Sequence, residues 1–438
     1  MRLLKSLWFL AAAMASVVSA APLTLHDAQD LLFRNHTAIR SAEVELKKAY
    51  EERTETRSAW LPSIDAKGSW QWVSERNRIV FDMPSLVPGA DPLAIDRTIG
   101  TNTRTEVGID CSYPLFTGFA RKYDSEAKNL QIEQRKDLLE SARNRAALAL
   151  GLIYLQWQLA YREVAVRREL CGSLDAVVQQ TRIRFEAGAA LKSHLLDAQA
   201  RRRMVEVDLA GALQKTDSLR CELLALITSE DSTAVPDTMD LSDRFAVQAQ
   251  RAVVDTVRPE LRALRQSAAQ IGIMRDMLHK RHLPRLFGMA GVRYANPGLA
   301  MGSDRFMGYG LAGVQLNWSL FDGLKGRIQE RELVLKRELV EIEYRRTRDD
   351  FGKRLDLSLR RIEQAARRYD AAREASGAAR RLAEDLGSCV EAGTATQVDY
   401  LNALVGATQA ELIEQQLKTA RGVAALQALY AAGVTMEF

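Results

Sequence analysis

Two periodicities take turns along the chain. From Ile64, the residues Ile64, Ala66, Gly68, Trp70 and Trp72 alternate with Asp65, Lys67, Ser69 and Gln71. Val107, Ile109, Cys111 and Tyr113 alternate in the same way with Glu106, Gly108, Asp110 and Ser112. The pattern returns further on. Leu286, Gly288, Ala290, Val292 and Tyr294 share one parity, as do Ala312, Val314, Leu316 and Trp318, the latter set against Gly313, Gln315, Asn317 and Ser319. A period of two predicts strands with one apolar and one wet face. We place them at about 63–73, 103–114, 285–295 and 309–319. Each runs to roughly 9–11 residues, the length that crosses a bilayer when tilted. Trp70, Trp72, Tyr113, Tyr294 and Trp318 fall toward strand ends, as an interfacial girdle requires. One such hairpin alone would fit the edge of a soluble sandwich equally well, because alternation is a weak signal.

Between the strands the period changes to three and four. Leu139, Ala142, Ala146, Leu150, Ile153, Trp157 and Val164 keep helical spacing, and Leu195, Ala198, Val205, Leu209, Ala212, Leu219, Leu223 and Leu226 form a coiled-coil-like seam. No proline falls between Pro114 and Pro236, and none follows Pro297. These stretches are rich in Ala, Leu, Glu, Arg and Gln, the good helix formers. A single helix over 120–184 would be about 100 Å long at ~1.5 Å per residue. That is too long for a compact domain, so the helices belong to a coiled coil or an elongated assembly.

The chain also repeats itself. YPLFTGFARK at 113–122 is echoed by WSLFDGLKGR at 318–327, with Gly118 and Gly323 separated by 205 residues. Arg184, Phe185, Glu186, Ala187 and Gly188 open a second echo, Glu391-Ala392-Gly393, at the same offset. Trp60-Leu61-Pro62 falls over His282-Leu283-Pro284, and Ile39 and Arg40 over Leu261 and Arg262, at an offset of 222. The 17-residue difference must lie between Trp72 and Val107. Two copies of one supersecondary unit are therefore expected, 21–235 and 236–438, the first with a larger loop around Arg78 to Thr101 that contains Pro84, Pro88 and Pro92.

Composition adds little to this and removes much. Net charge is +5 from 61 basic and 56 acidic residues, which gives no argument for nucleic acid. Residues 1–20 read as a secretory signal: Arg2 and Lys5, an apolar stretch from Leu7 to Val18, then Val18-Ser19-Ala20 before Ala21. Beyond it there is no apolar run of the ~18 residues that a membrane helix needs. Cys111, Cys171, Cys221 and Cys389 have neither metal nor redox spacing and read as small core residues. No nucleotide, hydrolase or zinc motif is present, so no catalytic residue, cofactor or metal is expected. His279 and His282 in HKRH have no third ligand nearby and read as a polar helix end before Pro284. Arg201-Arg202-Arg203 reads as a solvated or interhelical face. Phe438 ends a stretch that begins as helix, not a terminal barrel strand.

Four strands cannot close, and open edges are not tolerated in lipid. Membrane-crossing strands would thus require several copies of the chain. Eight strands fill their interior with side chains, whereas twelve can leave a lumen, which favours a trimer.

The chain resembles the TolC-type outer-membrane efflux protein family. The resemblance is carried by Leu61-Pro62-Ser63, by the YPLFTG and WSLFDG strand exits, and by the RFEAG and VEAG turns followed by LLDA and YLNA. It implies a mixed, mostly α, trimeric fold of two tandem repeats, each a β-hairpin plus a long helical hairpin. A twelve-stranded barrel in the outer membrane of a Gram-negative bacterium would continue into a periplasmic α-helical barrel. It further implies a passive exit duct, contacting outer-membrane lipid and docking to a periplasmic adaptor (membrane fusion) protein and an inner-membrane pump. A type I protein-secretion duct and a non-channel coiled-coil scaffold are the alternatives. By position match the resemblance implies an entrance and adaptor contact at Arg184, Phe185, Glu186, Gly188, His194, Glu391, Gly393, Asp399 and Asn402, and strand-to-helix junctions at Gly118 and Gly323. The sequence departs from the family at the entrance. Only Asp399 of the pair Asp399 and Asn402 is acidic, and the two halves of the usual charge latch fall on Ala395 and His194, so a looser entrance is expected.

Overall fold

The computed structural model describes residues 22–83, 93–229, 234–237, 239–251, 258–299 and 305–438. The signal segment expected over 1–20 lies outside them, as do Pro84, Pro88 and Pro92. In chain order the elements are α1 (Leu25–Asn35), α2 (Thr37–Ser58), β1 (Ser63–Trp72), β2 (Asn77–Met83), β3 (Leu93–Ile99), β4 (Thr103–Phe116), α3 (Ala120–Glu186) and α4 (Lys192–Ile227). There follow α5 (Leu241–Arg251), α6 (Pro259–His279), β5 (Arg285–Asn296), β6 (Met307–Asn317), α7 (Lys325–Glu391) and α8 (Gln397–Ala432).

The repeat is visible in the element bounds. α3 and α7 are single helices of 67 residues, and α4 and α8 are helices of 36. Each start and each end in the first copy is displaced by 205 residues in the second. The chain reverses or bends at left-handed residues that keep the same offset: Gly118 and Gly323 (φ 63° and 67°), Gly188 and Gly393 (73° and 77°), and Thr228 and Gly433 (53° and 86°). The longer loop of the first copy carries a hairpin of its own, β2 paired antiparallel with β3.

The described residues form two compact units. One takes residues up to Glu45, Lys136–Ala263 and Glu343–Phe438. Its main core gathers α1, the middle of α3, the end of α4, α5 and the end of α8 around Leu32, Leu150, Tyr154, Trp157, Leu223, Ile227 and Leu426, all buried. Tyr154 donates its hydroxyl to Leu23 O (2.8 Å) and accepts from Asp237 N (3.1 Å). Burial pushes the phenol up to about 12. Arg258, also buried, packs its guanidinium over Phe351 (3.4 Å to the ring centre) and Tyr430 (4.7 Å), and pairs with Glu260 at 3.1 Å. Burial works against ionisation of Glu260, but Arg258 and the Ser141 hydroxyl (2.9 Å) hold its carboxyl below the usual range. A second cluster joins Leu170, Cys171, Leu174 and Val177 of α3 to Ala198 and Val205 of α4 and Leu401 of α8.

The other unit, Leu46–Arg135 with Leu264–Ile342, holds the main sheet. The strand order is β1-β4-β5-β6, and every neighbouring pair is antiparallel. The expected spans agree with the observed strands to within three residues. Of the four cysteines, all free, only Cys171 is buried; Cys221 is exposed and Cys111 and Cys389 lie between, so the reading as core residues holds for one of them.

Candidate functional site

The register of the sheet sorts its side chains into two faces. Trp70, Gly68, Ala66 and Ile64 of β1 lie opposite Thr105, Val107, Ile109 and Cys111 of β4. Val107 and Ile109 lie in turn opposite Tyr294 and Val292, which face Gly308 and Gly310 of β6. This face is apolar yet open: Ile64, Trp70, Val107, Val292, Tyr294, Val314 and Leu316 are all more than half exposed. Burying each in an apolar medium is worth roughly 1.5–3 kcal/mol, so a continuous exposed face of this kind calls for lipid or protein against it.

The opposite face carries charge. Lys67, Gly108, Arg293 and Tyr309 form one row across the four strands. Arg293 pairs with Glu106 (2.6 Å) and Asp110 (3.4 Å), and Lys67 with Asp110 (3.1 Å). Two glycines make room for these side chains to lie along the wall. A Cβ on Gly108 would meet Arg293 Cγ at 2.9 Å, and one on Gly291 would meet Asp110 Oδ1 at 2.6 Å. The Arg293 pairs tie β4 of the first repeat to β5 of the second, and Lys67–Asp110 ties β1 to β4.

At the foot of the sheet each repeat turns from strand to helix through two successive left-handed residues, Gly118-Phe119 (φ 63° and 66°) and Gly323-Leu324 (67° and 67°). The sequence pointed to the glycines. It did not reveal Phe119 and Leu324, whose side chains cost about 1–2 kcal/mol in this conformation. Gly118 is also crowded, since a Cβ there would lie 3.3 Å from Leu283 Cβ, whereas Gly323 stands in open space.

The helical tips belong to the first unit. Gly188 and Gly393 end α3 and α7 in paired Schellman turns. Ala189 N donates to Arg184 O (2.8 Å) and Gly188 N to Phe185 O (2.9 Å), matched by Thr394 N to Cys389 O (2.8 Å) and Gly393 N to Val390 O (3.3 Å). Phe185, Glu186, His194, Glu391, Asp399 and Asn402 are exposed and Arg184 is half-buried. The two tips differ in their second helix. Asp399 is drawn into its own helix start: Thr396 Oγ1 donates to Asp399 Oδ2 (2.5 Å) and accepts from Asp399 N (3.2 Å). At the same point of the first tip stands Leu191, with no side-chain cap. Asn402 accepts from Arg201 Nη1 (2.7 Å), a bond that ties the two repeats beside the tips. Arg201 also pairs with Asp197 (3.0 Å), and Arg202 reaches across to Asp175 on α3 (2.8 Å). The triple-arginine run is therefore largely an interhelical device. Neither the capping by Thr396 nor the bond to Arg201 was anticipated; the Thr-x-x-Asp spacing was the available signal for the first. No group of three or more potential metal ligands occurs among the described residues.

Residues 28–228 match the model of the outer membrane efflux protein family. The match spans the first repeat. None of the curated proteins matches the chain by sequence. Solved structures extend the likeness to the whole chain. The outer membrane protein VceC of Vibrio cholerae superimposes with a TM-score of 0.72 at 15% identity, over 94% of this chain and 97% of its own. The CmeC outer membrane channel of Campylobacter jejuni gives 0.69 at 15%, over 93% and 85%. The open-state MtrE outer membrane channel of Neisseria gonorrhoeae gives 0.71 at 16%, over 94% and 89%. An outer membrane efflux protein is a passive channel component, not an enzyme, and its place is the outer membrane with extension into the periplasm. The chain thus has the TolC-like fold in two tandem repeats, as the duplicated junctions led us to expect.

Proposed function

We propose that three copies of the chain form the exit duct of a tripartite efflux system. The sheet would contribute four strands to a twelve-stranded barrel in the outer membrane, with the charged face to the lumen and the apolar face to lipid. The outer strands β1 and β6 each have one free edge within the chain's own sheet, and lipid does not tolerate free edges.

The observation that carries this reading is a broken symmetry between the repeats. Leu401 and Leu412 on α8 are 1% and 5% exposed, but their counterparts in the first repeat, Leu196 and Val207 on α4, are 54% and 71% exposed. Val177 on α3 is buried in the cluster that contains Leu401, while its counterpart on α7, Leu382, stands open. The second repeat's seam is seated on the first repeat of the same chain. Leu196 and Val207 of the first repeat lack that cover among the described residues of their own chain, and the second repeat of another copy would supply it. Repeating that contact head to tail gives a ring where three copies complete the rotation.

The tips at Gly188 and Gly393, with Arg184, Phe185, Glu186, His194, Glu391, Asp399 and Asn402, would be the periplasmic entrance and the contact for the adaptor, which links the duct to an inner-membrane pump. The absence of a charge latch at Ala395 and His194 fits a loosely held entrance, with Arg201–Asn402 as the bond nearest to that role. Single-channel recording of protein purified from outer-membrane fractions tests the reading. Trimers that conduct support it; a monomeric, non-conducting protein would refute it. A resting state that is tightly closed and indifferent to Asp399→Ala would refute the loose entrance.

A further inference from the structure

The HKRH segment, His279 to His282, has no part in the duct described so far. It begins at the last residue of α6, at the foot of the sheet, and its His279, Arg281 and His282 line a cavity of about 550 Å³ together with Ser319, Phe321, Gly326 and Arg327. The place of this cavity in the repeat explains why it is open. In the first repeat, Trp60 stands where the second has His282, and Arg121 stands where the second has Gly326. Arg121 lays its guanidinium over the Trp60 ring (4.1 Å) and donates to Ala59 O (3.3 Å) and Pro114 O (2.5 Å). The counterparts of Ala59 and Pro114 are Arg281 and Ser319, and both line the cavity. One repeat fills this position with its own side chain, and the other leaves it empty.

The lining combines cationic side chains with apolar ones. Its two acids are already engaged. Asp322 Oδ2 accepts from Gly326 N (3.0 Å), and Glu330 Oε1 takes Arg275 (3.1 Å) and His279 (3.3 Å). Arg281 is bonded only to the neutral Gln329 (2.8 Å) among the described residues, and the side chains of His282 and Arg327 have no hydrogen bond or ion pair there. Leu320 and Phe321 are 80% and 81% exposed at the rim. The segment is held to the apolar side of the sheet. Trp318 continues the apolar row of Val314 and Leu316 and donates its Nε1 to His282 O (2.9 Å). At this level a membrane-spanning strand leaves the hydrocarbon and meets headgroups.

We propose that this cavity binds the phosphate headgroup of a phospholipid, with Arg281 and Arg327 on the phosphate and Leu320 and Phe321 against the acyl chains. The proposal rests on the sheet crossing the outer membrane. Guanidinium groups suit a phosphate through charge-assisted, paired hydrogen bonds, and the exposed apolar rim favours a lipid over a free anion.

The test is native mass spectrometry of the detergent-purified assembly, titrated with phosphatidylglycerol. Two variants attack the site in opposite ways. Arg281→Ala with Arg327→Ala removes the cations. Gly326→Arg restores the plug that the first repeat carries and leaves every cation in place. Both should need roughly tenfold more lipid for equal retention, with unchanged bilayer conductance and helical circular dichroism. Arg337→Ala with Arg354→Ala, elsewhere on α7, should change nothing. Equal retention by wild type and Gly326→Arg would overturn the proposal. So would displacement of the lipid by inorganic phosphate at matched concentration, which would mark a plain anion site. Loss of assembly with lipid retention intact would assign the surface to subunit contact instead. A wild type that retains the lipid but does not conduct would count against the duct and not against this site.

Discussion

The two repeats have the same helices and the same turns, but different surroundings. α3 and α7 match residue for residue in length, as do α4 and α8. Leu401 is nevertheless packed out of solvent where Leu196 is open, and Arg121 fills a position that Gly326 leaves vacant. A duplicated backbone does not make duplicated interfaces. Leu401 is covered inside the chain, whereas Leu196 stands open there, and the proposed contact between copies would cover it.

Substitutions at equivalent positions should therefore have unequal effects, and the largest inequality lies in the seam. Leu401→Ala should cost about 2–5 kcal/mol through the cavity it leaves, seen in urea unfolding of the dispersed chain. Leu196→Ala should leave the dispersed chain nearly unchanged and weaken only the assembly. Next comes the buried pair of Arg258 and Glu260, which sits on the second repeat's side of the core. Glu260→Gln should cost about 1.5–3 kcal/mol at neutral pH, as for a hydrogen bond to a charged group. The folded carboxyl is held below its ordinary value, so its contribution is complete above the unfolded pKa of about 4.3. It disappears as pH falls through the lower folded value. Acid unfolding of wild type and variant should converge there; parallel curves down to strong acid would contradict the pairing.

The junctions come third. Ala at either Gly118 or Gly323 meets left-handed strain of about 1–2 kcal/mol. Gly118→Ala should be the worse of the two, because Leu283 stands at 3.3 Å and nothing faces Gly323. Equal melting temperatures would show that crowding at Leu283 is relieved without cost. The smallest effect is at the tips. Thr396→Ala should lose about 1 kcal/mol of helix capping and free the Asp399 carboxylate, while Leu191→Ala has no cap to lose. Hydrogen exchange at the first turn of α8 should rise in the former and stay level at α4 in the latter.

Much of this was legible in the residues. The alternation from Ile64 to Trp72 and from Ala312 to Trp318 fixed strand faces, because a one-residue slip would invert every side chain. The long proline-free stretches fixed α3 and α7. The insertion between Trp72 and Val107 was placed correctly, but its pairing as β2 with β3 was not read. Ile79-Val80-Phe81 is a β-favouring run that the nearby prolines obscured. At the candidate site the glycines were legible, since each answers a local backbone demand. Phe119, Leu324 and the Arg201–Asn402 bond were not, because they depend on what the fold brings beside them. The pattern of Leu196 against Leu401 was equally hidden: both are leucines at the same position of the repeat, and only packing tells them apart.

The central claim is that Leu196 of one copy packs with Leu382 of the next, as Leu401 and Val177 share one buried cluster within a chain. Leu196→Cys combined with Leu382→Cys, on a background with the exposed Cys221 replaced by serine, tests it directly. Mild oxidation of outer-membrane fractions should give covalently closed trimers on denaturing gels, with neither single variant forming them. Failure of the double variant to cross-link between chains, while the protein still assembles and conducts, would contradict the account.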